Sequence, residues 1–287
     1  MLSIYKKEMR AYFTHVLGYV FLAFMLLIIG IWFAMVNVMG MNPGFHHALS
    51  NATMFLFILI PTLTMRLFSE EARQKTDQLL FTSPLSVVQI VLGKFFAAVS
   101  LFLLALGGTI LFPIMLGRFG DLPVNQIAGA YIGFALLGMA CIAVGVFISS
   151  VTDNQIIAAV ITIATIFIMF IMDAVAIIVP TTAFASLMFV VGIVVVLVAL
   201  WYSATKHIVA TIVVAVLAIA VAGGLYLFNN LIYDGIIVRS LLWFSVFARY
   251  EAFTSGIVNI SDIVYFISFS GLFVYLTVNL IEKRRWR

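Results

Sequence analysis

Val16-Leu-Gly-Tyr-Val-Phe-Leu-Ala-Phe-Met-Leu-Leu-Ile-Ile-Gly-Ile-Trp-Phe-Ala-Met-Val36 runs for 21 residues without a charged side chain. At 1.5 Å per residue a helix of that length matches the ~30 Å hydrocarbon core of a bilayer. In lipid its backbone must satisfy itself, and a helix does so within one segment. The run is too long for the apolar core of a signal peptide, so the amino terminus is expected to be retained. Working outward, comparable runs recur at Leu49–Met65, Phe95–Leu116, Val124–Ile148, Ile156–Val179, Ala183–Tyr202, Ile208–Phe228 and Ile263–Ile281. Eight membrane helices are therefore predicted. The alternative is six, with Ala183–Phe228 as one broken structure around Ser203–His207.

Composition agrees with the runs. Of 287 residues 65% are hydrophobic and 9% charged, and the mean hydropathy is +1.24, outside the balance of soluble domains. The expected fold class is all-α, a polytopic transmembrane helical bundle of about six to eight spans in one membrane domain over 1–287. No repeat, low-complexity tract or Pro/Gly/Ser linker marks a second domain. Cys141 stands alone within an apolar helix, which excludes an intramolecular disulfide and a cysteine metal site.

The formal charge of +4 and pI of about 9.2 would suggest nucleic acid in a soluble protein, but here the placement of the charges says more. With the amino terminus inside, the cytoplasmic set is Lys6, Lys7, Arg10, Arg66, Arg73, Lys75, Lys94, Lys206, Lys283, Arg284, Arg285 and Arg287. Arg118, Arg239 and Arg249 fall outside, a division of 12 against 3. Excess lysine and arginine marks cytoplasmic loops, so both termini are expected in the cytoplasm and the span count is expected to be even.

Three segments are too polar or too short to cross. In Leu2–Phe13 the apolar Leu2, Tyr5, Met9 and Tyr12 share one helical face and Lys6, Lys7 and Arg10 lie elsewhere, so 1–14 is predicted as a basic amphipathic helix at the membrane surface. The second is the loop 66–84, within Met65-Arg-Leu-Phe-Ser-Glu-Glu-Ala-Arg-Gln-Lys-Thr-Asp-Gln-Leu-Leu-Phe-Thr-Ser-Pro84. Ser69 fits an N-cap, Glu70 and Glu71 suit a first turn, and Ser83-Pro84 breaks the helix. Ala72, Thr76, Leu79 and Leu80 would share a face able to enter a groove on a partner. A solvated charged loop is the plainer alternative. The third, 229–262, interleaves Leu241, Leu242, Trp243, Phe244, Phe247, Tyr250 and Phe253 with Arg239, Arg249 and Glu251. Such aromatic density suits a re-entrant segment or an interfacial anchor belt.

The stretch from Thr64 through Pro84-Leu-Ser, followed by Gln89-Ile-Val-Leu-Gly-Lys94, resembles type-2 ABC exporter permeases, and most closely their GldF-like, gliding-motility-type branch. Ile148-Ser-Ser-Val-Thr-Asp-Asn-Gln-Ile156, Arg249-Tyr-Glu-Ala-Phe-Thr-Ser-Gly-Ile257 with Asp262-Ile-Val-Tyr-Phe266, and Tyr5-Lys-Lys-Glu-Met-Arg10 support it across nearly the whole chain. The resemblance implies a permease subunit of an exporter in the inner membrane, driven by a separate ABC ATPase dimer that binds ATP and Mg. It implies a connecting helix carrying Tyr5, Lys6, Lys7 and Arg10. It also implies a coupling helix over Ser69–Leu80 whose ATPase-facing residues are Glu70, Glu71, Arg73, Thr76, Leu79 and Leu80. A re-entrant outer segment near Leu241–Gly256 would supply the gate residues Phe247, Arg249, Tyr250, Glu251 and Phe253. A second permease, identical or homologous, and a companion membrane protein with a large extracytoplasmic domain are the further expected partners. The helix pair Ala183–Phe228 departs from the six spans usual in the family.

The chain itself lacks a Gly-x-x-x-x-Gly-Lys-Ser/Thr phosphate loop, so no ATP site of its own and no bound cofactor are expected. No His-Glu-x-x-His or Gly-x-Ser-x-Gly occurs. His46 and His47 are expected to face different ways in a wet outer loop, and no metal is expected. Asp173 is the one acidic residue inside an apolar span, where it faces a cavity or the outer interface. Gly138, Cys141, Gly145 and Ser149 share a face, and Gly129-x-x-x-Gly133 permits close packing. Thr152-Asp-Asn-Gln155 fits a capping box. The rival function class is an ATP-independent secondary carrier or channel, which would call for discontinuous helices or paired ionisable residues near the midplane.

Overall fold

The computed structural model describes residues 1–14, 16–76, 85–228, 230 and 233–285. It is 84% helical and has no strand among the described residues. Two compact units are present, Met1–Phe170 with Val246–Arg287, and Ile171–Ser245.

In the first unit α1 (Leu2–Thr14) precedes α2 (Val16–Trp32), which continues as a π-helical segment, Phe33–Met39. Then come α3 (Phe45–Ala52), a 3-10 turn at Thr53–Phe55, α4 (Leu56–Thr64) and α5 (Ser69–Gln74). After the undescribed stretch 77–84 follow α6 (Val87–Gly108), α7 (Leu111–Leu116), α8 (Val124–Val151) and the start of α9 (Gln155–Ile178). The unit closes with α13 (Val246–Thr254) and α14 (Ile260–Arg285). The second unit holds α10 (Ala183–Thr205), α11 (Ile208–Phe228) and α12 (Ile236–Phe244); α10 packs on both α11 and α12.

Among the described residues seven runs are long and apolar enough to cross a membrane, between the alternatives of six and eight but not the even number expected: Val16–Met39, Phe45–Gln74, Val87–Leu116, Val124–Val151, Gln155–Ile178, Ala183–Ser203 and Ile260–Arg285. The apolar part of α11, Thr211–Tyr226, is shorter. The third run starts at Val87 rather than at the predicted Phe95, which draws Lys94 into the helix.

The core of the first unit is built around α8. Its most apolar window is 72% buried, against 22% for α2, so α8 is the axis and α2 a wall. It packs against α3, α4, α6, α13 and α14. Small residues make this possible. A Cβ at Gly129 would lie 2.4 Å from the Phe253 carbonyl oxygen, and one at Gly133 would lie 2.7 Å from the Cβ of Phe253. The Gly129-x-x-x-Gly133 pair therefore seats the short α13 rather than another full span. At the other end, Asn154 caps α9, its Oδ1 accepting from the amides of Ile156 (2.9 Å) and Ile157 (3.4 Å). The predicted capping box at Thr152 is thus corrected. Thr152 Oγ1 accepts from Asn154 N, at 3.2 Å, because the helix begins at Gln155 and Asn154, not Thr152, directly precedes its free amides.

Candidate functional site

The strongest polar cluster lies where α1, α5 and α6 meet. Lys94, on α6, is 1% exposed. A cation there needs compensation from every side, and it has it. Its Nζ donates to Glu8 Oε1 of α1 at 2.9 Å and to the Leu67 carbonyl at 2.6 Å. It also lies 2.9 Å from Glu71 Oε2 of α5 and 5.1 Å from the centre of the Phe68 ring. Lys7 of α1 reaches Glu71 as well, at 3.3 Å. One buried ammonium thus joins three helices.

The same helices are packed apolar to apolar beside the cluster. A Cβ at Gly93 would come within 3.0 Å of Ile4, so Gly93 lets α1 lie directly on α6 while the next residue takes its carboxylate. Tyr5 donates to Ser100 Oγ at 3.1 Å and Tyr12 to the Leu63 carbonyl at 3.4 Å. Burial pushes the Tyr12 hydroxyl above its usual range, which keeps it a donor. Lys6 and Arg10, the other predicted connecting-helix residues, are exposed.

The predicted coupling helix is shorter than expected and is capped from elsewhere. α5 ends at Gln74 because Lys75 turns left-handed (φ 56°), and the Thr76 amide closes back on the Glu71 carbonyl at 3.0 Å. The single face expected for Ala72, Thr76, Leu79 and Leu80 is therefore interrupted after Gln74; Leu79 and Leu80 lie outside the described residues. Ser69 is not the N-cap. Its hydroxyl turns back to the Met65 carbonyl, and the capping oxygen comes from Ser149 of α8, which accepts from Phe68 N at 3.1 Å and Ser69 N at 3.3 Å. Glu71 faces inward to Lys94, while Glu70 pairs loosely with Arg66 at 4.0 Å. Arg73, Gln74 and Lys75 are exposed. Glu8, Lys94 and Ser149 were missed as members of this site. The available signal was a lysine inside an apolar helical run, which requires a partner. A cavity of about 650 Å³ opens beside the cluster, lined among others by Lys7, Tyr12, Arg66 and Glu70.

At the far end of α8, α13 carries the predicted gate residues. Phe247, Tyr250 and Phe253 are buried against Phe170, Phe134 and Phe266, with ring centroids 5.3, 6.2 and 6.1 Å apart. Arg249 pairs with Asp262 at 2.9 Å and lies 3.9 Å from the centre of the Tyr265 ring; Glu251 is exposed. Burial raises the Tyr250 hydroxyl. With nine residues each, α12 and α13 are too short to cross a bilayer. His46 and His47 do not diverge as expected. Both sit on α3 with ring centroids 4.0 Å apart, since His46 is buried in the bundle and His47 folds over it. No group of three metal-ligating side chains occurs among the described residues. In the second unit, Asp173 Oδ1 is buried with no hydrogen-bond partner among the described residues.

The family described as ABC-2 family transporter protein matches residues 42–189, just over half of the chain. The chain belongs to the ABC-2 transporter family. A comparison with curated proteins found no match. As an ABC-2 family member it is a multi-pass membrane transport component, an ABC transporter permease subunit, and the family implies partnership with an ABC ATPase and with a membrane bilayer. The matched region covers α3 to α9 and the start of α10, and so includes both Lys94 and Ser149.

Proposed function

We propose that this ABC-2 chain is the membrane-spanning permease of an ATP-driven exporter of the GldF-like, gliding-motility type, working as one transmembrane permease domain. A separate ATPase dimer binds ATP and Mg, and this chain supplies no ATPase site. The observation that carries the reading is the Lys94 clasp. An element held at once to α1, α6 and α8 cannot be pulled without moving the bundle, which is what coupling requires. Closure of the ATPase dimer on ATP displaces α5 and the chain after it; Lys94 passes the displacement to α6 and, through Glu8, to the connecting helix, while Ser149 passes it to α8. Two states of differing affinity for the ATPase then drive the permease. The Arg249–Asp262 pair and the buried α13 aromatics are the matching outer gate, and a second permease completes the path. A companion membrane protein with a large extracytoplasmic domain would supply the outer domain that the described helices lack. In this reading the chain lies in the inner membrane, and the excess of lysine and arginine on one side supports both termini being cytoplasmic.

Because Glu71 faces inward, the ATPase-facing surface proposed for α5 is Arg73, Gln74, Lys75 and the following segment. Reversing two of its charges, Arg73→Glu with Lys75→Glu, should weaken ATPase co-purification by about tenfold, a few charge-assisted contacts' worth, while membrane insertion survives. Wild-type retention of the ATPase and of its stimulated ATP turnover would reject α5 as the docking element.

A further inference from the structure

The geometry points to a second binding site, one for an individual membrane phospholipid with a zwitterionic, ethanolamine-type headgroup. Its acyl chain would lie along α2 and its headgroup would enter the cavity beside α5. An apolar groove of about 410 Å³ runs between α2 and α4, lined by Val16, Val20, Phe21, Phe24 and Thr62. Leu17 and Arg66 line both this groove and the 650 Å³ polar cavity, so the two adjoin at a cation. From Val16 to Phe24 the groove follows α2 for about 12 Å, at 1.5 Å per residue. Val16 opens a membrane-crossing run, which sets Arg66 at headgroup depth.

Charge selects the headgroup. Three cations and three carboxylates line the polar cavity: Lys7, Arg66 and Lys94 against Glu8, Glu70 and Glu71. Lys94 is consumed by Glu8 and Glu71, and Lys7 also rests on Glu71. What remains is one positive and one negative group, Arg66 and Glu70, 4.0 Å apart at the limit of an ion pair and with side chains 48% and 35% exposed. A phosphate on the Arg66 guanidinium and an ammonium on Glu70 Oε2 would replace that one long contact by two charge-assisted hydrogen bonds, while Glu70 Oε1 keeps the bond it accepts from Gln74 Nε2 at 3.3 Å. A purely anionic headgroup would gain the first and be repelled at the second. A choline headgroup would reach Glu70 without an N–H to give.

The test uses the full chain in phosphatidylcholine nanodiscs doped with equal small fractions of palmitoyl-oleoyl phosphatidylethanolamine or phosphatidylglycerol. Retained lipid is counted by native mass spectrometry. Phosphatidylethanolamine should be retained about tenfold over phosphatidylcholine, the scale of one hydrogen bond to a charged group, and also above phosphatidylglycerol. Glu70→Gln should bring it down to the phosphatidylcholine level, and Arg66→Gln should lower retention of both about tenfold. Val20→Trp, which fills the groove, should abolish retention of every class. Arg66→Lys, which keeps the cation, should preserve the order of preference and serves, with Glu70→Gln, if Arg66→Gln fails to fold by size exclusion. Equal retention of the ethanolamine and choline lipids by the wild type overturns the inference. So does preferential retention of phosphatidylglycerol, or indifference to Glu70→Gln. No ATPase enters the experiment, so its failure leaves the coupling proposal standing.

Discussion

Lys94 follows Gly93 as though it began a polar loop, and only its helix neighbours show what it does. A fully buried ammonium with two carboxylates and a carbonyl at 2.6–2.9 Å is stable as a set and costly in part. Lys94→Met leaves Glu8 and Glu71 facing each other with only the exposed Lys7, 3.3 Å from Glu71, to offset them, which should cost about 3–5 kcal/mol. Thermal unfolding in detergent should fall accordingly. Adding Glu8→Gln and Glu71→Gln removes the uncompensated charge and should recover most of the loss, since well-packed neutral replacements of a buried ion cluster are often tolerated. If the triple variant is no more stable than Lys94→Met alone, the cluster is not the electrostatic unit described. The lysine was visible in the sequence as a charge in an apolar run; its carboxylates, 86 residues away on α1 and 23 away on α5, were not.

Among the elements, α5 depends most on its surroundings. Six residues are too few to hold a helix unaided, and its first amides are satisfied by Ser149, some 80 residues away. Ser149→Ala should leave those buried amides unpaired at a cost of about 1–3 kcal/mol. Hydrogen exchange is the measurement: amides from Phe68 to Ala72 should exchange faster while those of α8 stay protected. Unchanged exchange at Phe68 and Ser69 would show that α5 is capped by another group. At the far end, α13 has its own seat. Gly133→Leu places a side chain where Phe253 and Tyr250 already lie, so α13 must lift, at a cost of about 1–3 kcal/mol or more. A cysteine at Ala252 should then become more reactive toward an aqueous maleimide, in a Cys141→Ser background; no gain in reactivity would mean that α13 tolerates the added volume.

At the scale of the molecule, the proposed orientation makes a prediction that does not depend on transport. In the Cys141→Ser background, cysteines at Gln74 and Lys283 should resist a membrane-impermeant reagent applied from outside, and one at Ser255 should react. Strong external labelling of Gln74 or Lys283 would invert the topology. The helical class, the repeated membrane-length runs and the helix over α1 were legible in the sequence, because each depends on hydrophobicity and charge within some 20 consecutive residues, and lipid acts on the chain at that length. The inward turn of Glu71, the early end of α5 at Lys75, the cap lent by Ser149 and the use of Gly129 and Gly133 to seat α13 belong to another scale. Each is a contact between helices distant in the chain, chosen by which side chains packing brings to one buried polar group, and local periodicity carries no information about that choice.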